Sequence, residues 1–260
     1  MQATLELPEP PLLSLGTVVV IGGGCYGSFY TRQLETARER GKVSYRRILV
    51  VDQDPACQVV RELPPGGGRQ LVVSDWSRFL DSFFAGYGDS DPAVATTDVI
   101  VPSPLMPHLM YQWLFRRARA RWPGREISTV PFTTAPRTPY DATAPDHTRY
   151  VSHADWICPT HCTEPARCPV IRGPRTWEMS ETMERWTQEL DRVRPTRGPV
   201  LLECRHTVFA VGTFSVAAVL AGDRIIADAG ARAESVDVLV GTVSACHGAV
   251  NLLHVGPGNP

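Results

Sequence analysis

Residues 155 to 170 read Asp155-Trp156-Ile157-Cys158-Pro159-Thr160-His161-Cys162-Thr163-Glu164-Pro165-Ala166-Arg167-Cys168-Pro169-Val170. The cysteine spacing is C-x3-C-x5-C, and a proline follows Cys158 and Cys168. Three thiols on one proline-stiffened loop can converge on a point, because rigid turns lower the entropy cost of closing a metal site. A structural zinc takes four ligands, commonly four thiolates or three thiolates and an imidazole, whereas an iron–sulfur cluster is most often held by four thiolates. His161 and His153 are local candidates for a fourth ligand. Cys204, within Glu203-Cys204-Arg205-His206, and Cys246, within Cys246-His247, are distant ones. The expected set is Cys158, Cys162, Cys168 and Cys204. Paired C-x2-C knuckles are absent, which favours an iron–sulfur cluster over the alternative, zinc. The competing reading is that these are small packing residues beside turns. Cys25 and Cys57 are read that way.

A second chemical stretch lies near the start of the chain. Val18-Val19-Val20-Ile21 is an apolar, β-branched run, followed by Gly22-Gly23-Gly24 and, three residues on, Gly27. This is G-x-G-x-x-G between a buried strand and a helix-compatible segment. Gly22 allows the tight turn, Gly24 lets the backbone approach a pyrophosphate, and Gly27 lets helix pack on strand. The free N–H groups and positive dipole end of the helix suit phosphate. Arg47-Ile48-Leu49-Val50-Val51-Asp52 reads as a second strand ending in a carboxylate.

These residues resemble the nucleotide-binding start of the Rossmann-type NAD(P)-binding superfamily. The resemblance covers the N-terminal half and implies that Gly22, Gly24, Gly27 and Asp52 bind the cofactor. Asp52 would hold the ribose hydroxyls of NAD and repel the extra phosphate of NADP. One departure is the gap of 25 residues from Gly27 to Asp52, which the polar stretch from Arg38 to Tyr45 must absorb.

The elements that must position these groups follow in order. A short helix is expected over 55–62, a loop at Pro64-Pro65-Gly66-Gly67-Gly68, a third strand over 70–74, and a helix capped by Asp75 carrying Trp76, Phe79, Leu80 and Phe83. Gly86 to Pro92 closes that unit. Asp98-Val99-Ile100-Val101 is a fourth strand, and the loop after it carries Ser103 and His108. Ligands of open α/β sheets lie beyond the carboxyl ends of strands, so Ser103 and His108 are the catalytic candidates. The alternative is a proline-stiffened loop with a solvated histidine. A helix over 107–121 bears Arg116, Arg117, Arg119 and Arg121, read as a solvated face, and 126–132 reads as a fifth strand.

Alternating strands and helices from Thr17 to Phe132 give an α/β fold with a Rossmann-like, mostly parallel sheet. The expected organisation is an extended leader over 1–16 and a nucleotide-binding domain over 17–134. A Cys/Pro-rich metal-binding insertion with one helix occupies 135–198, and C-terminal strands over 199–260 pack on the first domain. In the insertion's helix, Met179, Met183, Trp186 and Leu190 share a face.

A net charge of −1 supports neither nucleic acid nor an anionic membrane as partner. No apolar run suits a bilayer, and the N-terminus lacks the basic and apolar parts of a secretory signal. Seven cysteines then read as reduced thiols or metal ligands, and the expected location is the cytoplasm. The combined expectation is an NAD(H)-binding redox protein with a cysteine-ligated metal centre, an NAD-dependent oxidoreductase working with a redox partner protein. The alternatives are a non-enzymatic redox or NADH sensor or assembly module, and a Rossmann-like enzyme using another nucleotide such as S-adenosylmethionine.

Overall fold

Val18, Val19, Val20 and Ile21 are all buried, and the strand pleat sends them to opposite sides of one sheet. A strand covered on both faces reads as continuous apolar sequence. The computed structural model describes residues 12–66, 68–88, 92–106, 108–159 and 162–258. Residues 1–11 of the expected leader, Gly67, Pro107 and His161 lie outside them.

The chain begins with β1 (Leu13–Ile21), α1 (Cys25–Glu39), β2 (Val43–Asp52), α2 (Gln58–Glu62), β3 (Arg69–Val73) and α3 (Trp76–Ala85). Then come α4 (Pro92–Thr97), β4 (Val99–Val101), α5 (Leu109–Arg121), β5 (Ile127–Val130), β6 (Tyr140–Thr143) and β7 (Arg149–Ser152). Two short strands, β8 (Arg167–Cys168) and β9 (Gly173–Pro174), precede α6 (Met179–Asp191). The chain ends with β10 (Thr196–Glu203), β11 (Arg205–Val208), β12 (Val211–Ser215), α7 (Val216–Gly230), β13 (Val236–Val243) and β14 (His247–Val255). Among the described residues no helix is long and apolar enough to cross a membrane.

The fold is mixed α/β, with two six-stranded sheets. The first has the order β11-β12-β4-β1-β2-β3. Its four strands β3, β2, β1 and β4 run parallel, and β12 and β11 extend it antiparallel. The second has the order β10-β13-β14-β7-β6, with β5 also on β14. Only β10 and β13 are parallel there.

Several expectations change accordingly. The 126–132 strand does not join the parallel sheet: Val130 pairs with Leu252 in the second one. The 135–198 segment is not wholly irregular, because β6 and β7 are strands of that same sheet. The C-terminal strands divide between the two sheets. The leader gives way to β1 at Leu13. Asp75 does cap α3, accepting a hydrogen bond from Arg78 N. The arginines of α5 are not simply solvated: Arg117 and Arg121 lie 3.1 and 2.8 Å from Asp223 of α7, and Arg116 lies 3.1 Å from Asp81.

Three cores set the layering. Val18, Val20, Ile48 and Val50 pack with Leu34 and Ala37 of α1 on one face of the first sheet. Val19, Ile21, Leu49 and Val51 pack on the other face with α3, α5 and α7, and these helices also meet Val200, Leu202, Val238 and Leu253 of the second sheet. Met179, Met183, Trp186 and Leu190 of α6 cover the outer face of the second sheet, each at most 2% exposed. The layers therefore run helix, sheet, helix, sheet, helix. The carboxyl ends of the parallel strands meet loops from the second sheet, and the candidate site lies there.

Candidate functional site

Gly22 leaves β1 at φ +85°, a conformation that favours glycine, and its N–H donates to Val51 O at 2.9 Å. A Cβ on Gly27 would strike the carbonyl oxygen of Gly22, so this glycine allows α1 to approach the turn. Gly24, the N-cap of α1, is different. Among the described residues a Cβ there would meet nothing within 4 Å, and no side chain caps the helix. Asp52 ends β2 with Oδ2 accepting from Gly23 N at 2.6 Å and Oδ1 accepting from Asp54 N at 2.9 Å. All four residues expected at a nucleotide thus stand around one turn. Cys57 is buried against Gly23, as a packing residue should be, but Cys25 is exposed at the start of α1.

Beyond β4 lies a cavity of about 320 Å³ lined by Tyr30 of α1, Ser103, Tyr150, Cys204, His206 and His247, among others. Ser103 is on its wall. His108 stands behind it: its Nε2 lies 2.6 Å from the Tyr150 hydroxyl, and its Nδ1 is buried with no hydrogen-bond partner among the described residues. Burial lowers the His108 pKa, with the Asp146 charge opposing. Burial also raises that of Tyr150, helped by Asp146. At neutral pH the pair is therefore a neutral imidazole against a neutral phenol. Tyr150 is a residue that sequence reasoning missed, because β7 lies in the proline-rich stretch and nothing local marks it.

The cysteine loop closes the far side. Cys158 Sγ lies 3.8 Å from His247 Nε2. Burial pushes the Cys158 thiol up, followed by the charges of Cys162 and Cys168. Cys162 Sγ accepts from Glu164 N at 3.4 Å, and Cys168 is buried in β8. Cys246 is buried, its Sγ accepts from Trp177 Nε1 at 3.2 Å, and burial pushes it up to about 11.

Cys204, between β10 and β11, is half-buried. It lies on the wall shared by the first cavity and a polar one of about 340 Å³ bearing Glu164, Arg175, Glu178 and Glu203. Burial and then Glu164 push its thiol up to about 12. His153 is turned away, with Nε2 3.0 Å from Thr182 Oγ1 of α6. Among the described residues no three Cys, His, Asp or Glu side chains are already gathered around one ion.

Glu164, likewise invisible in the sequence, ties the loop down. Its carboxylate accepts from Ser244 Oγ at 2.6 Å, Ala245 N at 2.8 Å and Cys246 N at 3.3 Å. This clamps the cysteine loop to the β13–β14 turn. His247 follows that turn directly.

No curated protein and no solved structure matches the chain. A family model described as "Uncharacterized protein, C-terminal domain" matches residues 110–256, a stretch running from α5 past β14. It takes in the cysteine loop, Tyr150 and His247, and leaves out the glycine turn, Asp52 and His108. The match covers more than half of the 260 residues, and the chain belongs to this family, AF_1314_C.

Proposed function

We propose that the chain is a Rossmann-like NAD(H)-binding oxidoreductase whose reacting end lies in the cavity beyond β4. One observation carries this reading: the glycine turn, Asp52 and Ser103 all leave the carboxyl ends of neighbouring parallel strands in the order β3-β2-β1-β4. That is the order of the first four strands of a dinucleotide-binding sheet, whose ligands lie at those ends. The residues fit the nucleotide. Gly24 opens onto free space where a pyrophosphate approaches backbone, and the uncapped first turn of α1 offers N–H groups to it. Asp52 would accept from the ribose hydroxyls.

NAD would supply a hydride acceptor at this edge of the sheet. The chain's own groups supply the rest. Tyr150, hydrogen-bonded to His108, is a hydroxyl at the cavity wall that can give or take a proton while the imidazole shares it. Ser103 and Tyr30 offer further hydroxyls to orient a substrate. An acid–base pair at this place favours an enzyme over a sensor or assembly module.

Calorimetric titration tests the reading. The parent should bind NAD more tightly than NADP or S-adenosylmethionine, and Gly24→Val should not bind NAD. The open space around Gly24 lets the chain accept valine, so that variant should melt with the parent. A parent that gives no heat with NAD removes the cofactor from the account.

A further inference from the structure

We propose that Cys158, Cys162, Cys168 and His247 form a Cys3His site for one zinc ion, with His247 as the fourth ligand in place of Cys204. The site stands on the second sheet and the cysteine loop and does not depend on the nucleotide.

The argument starts from one distance. Tetrahedral zinc with Zn–S of about 2.3 Å and Zn–N of about 2.0–2.1 Å sets an S···N edge of about 3.6 Å. Cys158 Sγ and His247 Nε2 are 3.8 Å apart, so one edge of such a tetrahedron already exists.

The tautomer agrees. Ser152 Oγ lies 2.9 Å from Ala154 O, to which it donates, and accepts from Ala154 N at 2.8 Å. Its third contact is His247 Nδ1 at 2.9 Å. With the serine proton committed to a carbonyl, the hydrogen-bond network assigns the proton of that contact to Nδ1. Nε2 then carries its lone pair, on the side of Cys158. Metal-bound histidines are held in this way, the second nitrogen donating to an outer partner that fixes the ring.

The remaining ligands come from the loop. The Glu164 amide donates to Cys162 Sγ at 3.4 Å and so fixes where that sulfur stands in the loop. The Glu164 carboxylate fixes that loop against the turn that carries His247. Closure requires Cys162 and Cys168 to swing onto the Cys158–His247 edge, each of the three thiols losing its proton to solvent and the neutral imidazole losing none. The energy of forming the site can order a loop in this way. Three thiolates and one imidazole are a zinc set, whereas a cluster most often takes four thiolates.

The test uses the full chain, stripped by chelator under reducing, anaerobic conditions and titrated with Co(II) as a spectroscopic probe for zinc. Expected are one Co(II) per chain, tetrahedral d–d bands with thiolate charge transfer, and displacement by Zn(II). His247→Ala should abolish those bands. His247→Cys should restore binding with stronger charge transfer, which separates ligand loss from misfolding. Ser152→Ala should weaken affinity about 10- to 100-fold. Cys204→Ser and Cys246→Ser should change nothing. Unchanged bands in His247→Ala, or loss in Cys204→Ser, would overturn His247 as the ligand while leaving a metal-binding loop. No Co(II) binding would overturn the site, and stoichiometric iron and sulfide in anaerobically purified protein would overturn zinc.

Discussion

Asp52 Oδ2 and Gly23 N are 2.6 Å apart, a hydrogen bond that joins the end of β2 to the turn after β1. One carboxylate thus shapes the glycine turn and, in the proposed reading, would also hold a ribose. The two roles separate by substitution. Asp52→Asn keeps an oxygen for the Gly23 amide but loses the charge that repels a 2′-phosphate. It should melt near the parent and bind NAD and NADP with nearly equal affinity. Asp52→Ala leaves the Gly23 amide without its partner as well. Since a hydrogen bond to a charged group contributes about 1.5–3 kcal/mol, NAD affinity should fall by about 10- to 100-fold in this variant. Calorimetry with both nucleotides reads this, and an Asp52→Asn variant that still prefers NAD as strongly as the parent would contradict it.

His108 predicts a pH dependence of stability. Its pKa in the folded protein is lowered, chiefly by burial, with Asp146 opposing. The unfolded chain therefore takes up a proton at about pH 6.5 while the folded chain does so only at lower pH. The contribution is fully present above that range and is lost as pH falls through it. The parent should lose more melting temperature between pH 7 and pH 5 than His108→Gln, which keeps a polar partner for Tyr150. Carboxylates change both proteins alike, so the difference isolates the histidine. Equal slopes, or an NMR titration placing His108 at or above the ordinary histidine range, would count against it.

These two sites also mark what could be read from sequence. The Val18–Ile21 run, the glycines, the Asp75 cap and the apolar face of α6 are local patterns with local causes, and each stands where the sequence puts it. Pairing between distant strands is not local. Ile127–Val130 is rich in β-branched residues, as a strand is, but nothing in it says that its partner is β14, over a hundred residues on. The β6 and β7 strands were hidden by prolines and by their short length, and α4 has too few residues for a periodicity. The site divides in the same way. Cys158, Cys162 and Cys168 were visible by type and spacing. Tyr150 and Glu164 matter only through contacts with His108 and with Ser244 to Cys246, which bring together residues 42 and about 80 positions apart. Cys204 stands on a cavity wall that it shares with His247, beside Glu164.

Glu164 supplies the last prediction. It holds a left-handed backbone conformation, φ +51°, that most residues avoid, and its carboxylate accepts three hydrogen bonds from the β13–β14 turn. The backbone cost is sustained by those bonds, which join two segments about 80 residues apart. Removing the carboxylate leaves the Ala245 and Cys246 amides unpaired in a part-buried place, at about 1–3 kcal/mol for an unsatisfied group. Glu164→Ala should therefore lower stability by a similar amount and free the cysteine loop, with protease cleavage between about 156 and 175 rising before the sheets unfold. Glu164→Gln keeps one carbonyl oxygen for the turn and should fall between Glu164→Ala and the parent. Glu164→Gly relieves the backbone conformation but removes the same carboxylate, so it should melt slightly above Glu164→Ala while its loop is cut as readily. Limited proteolysis with mass-spectrometric mapping, beside thermal melts of the same proteins, measures both effects. If Glu164→Ala keeps the parent's cleavage pattern, the clamp does not hold the loop.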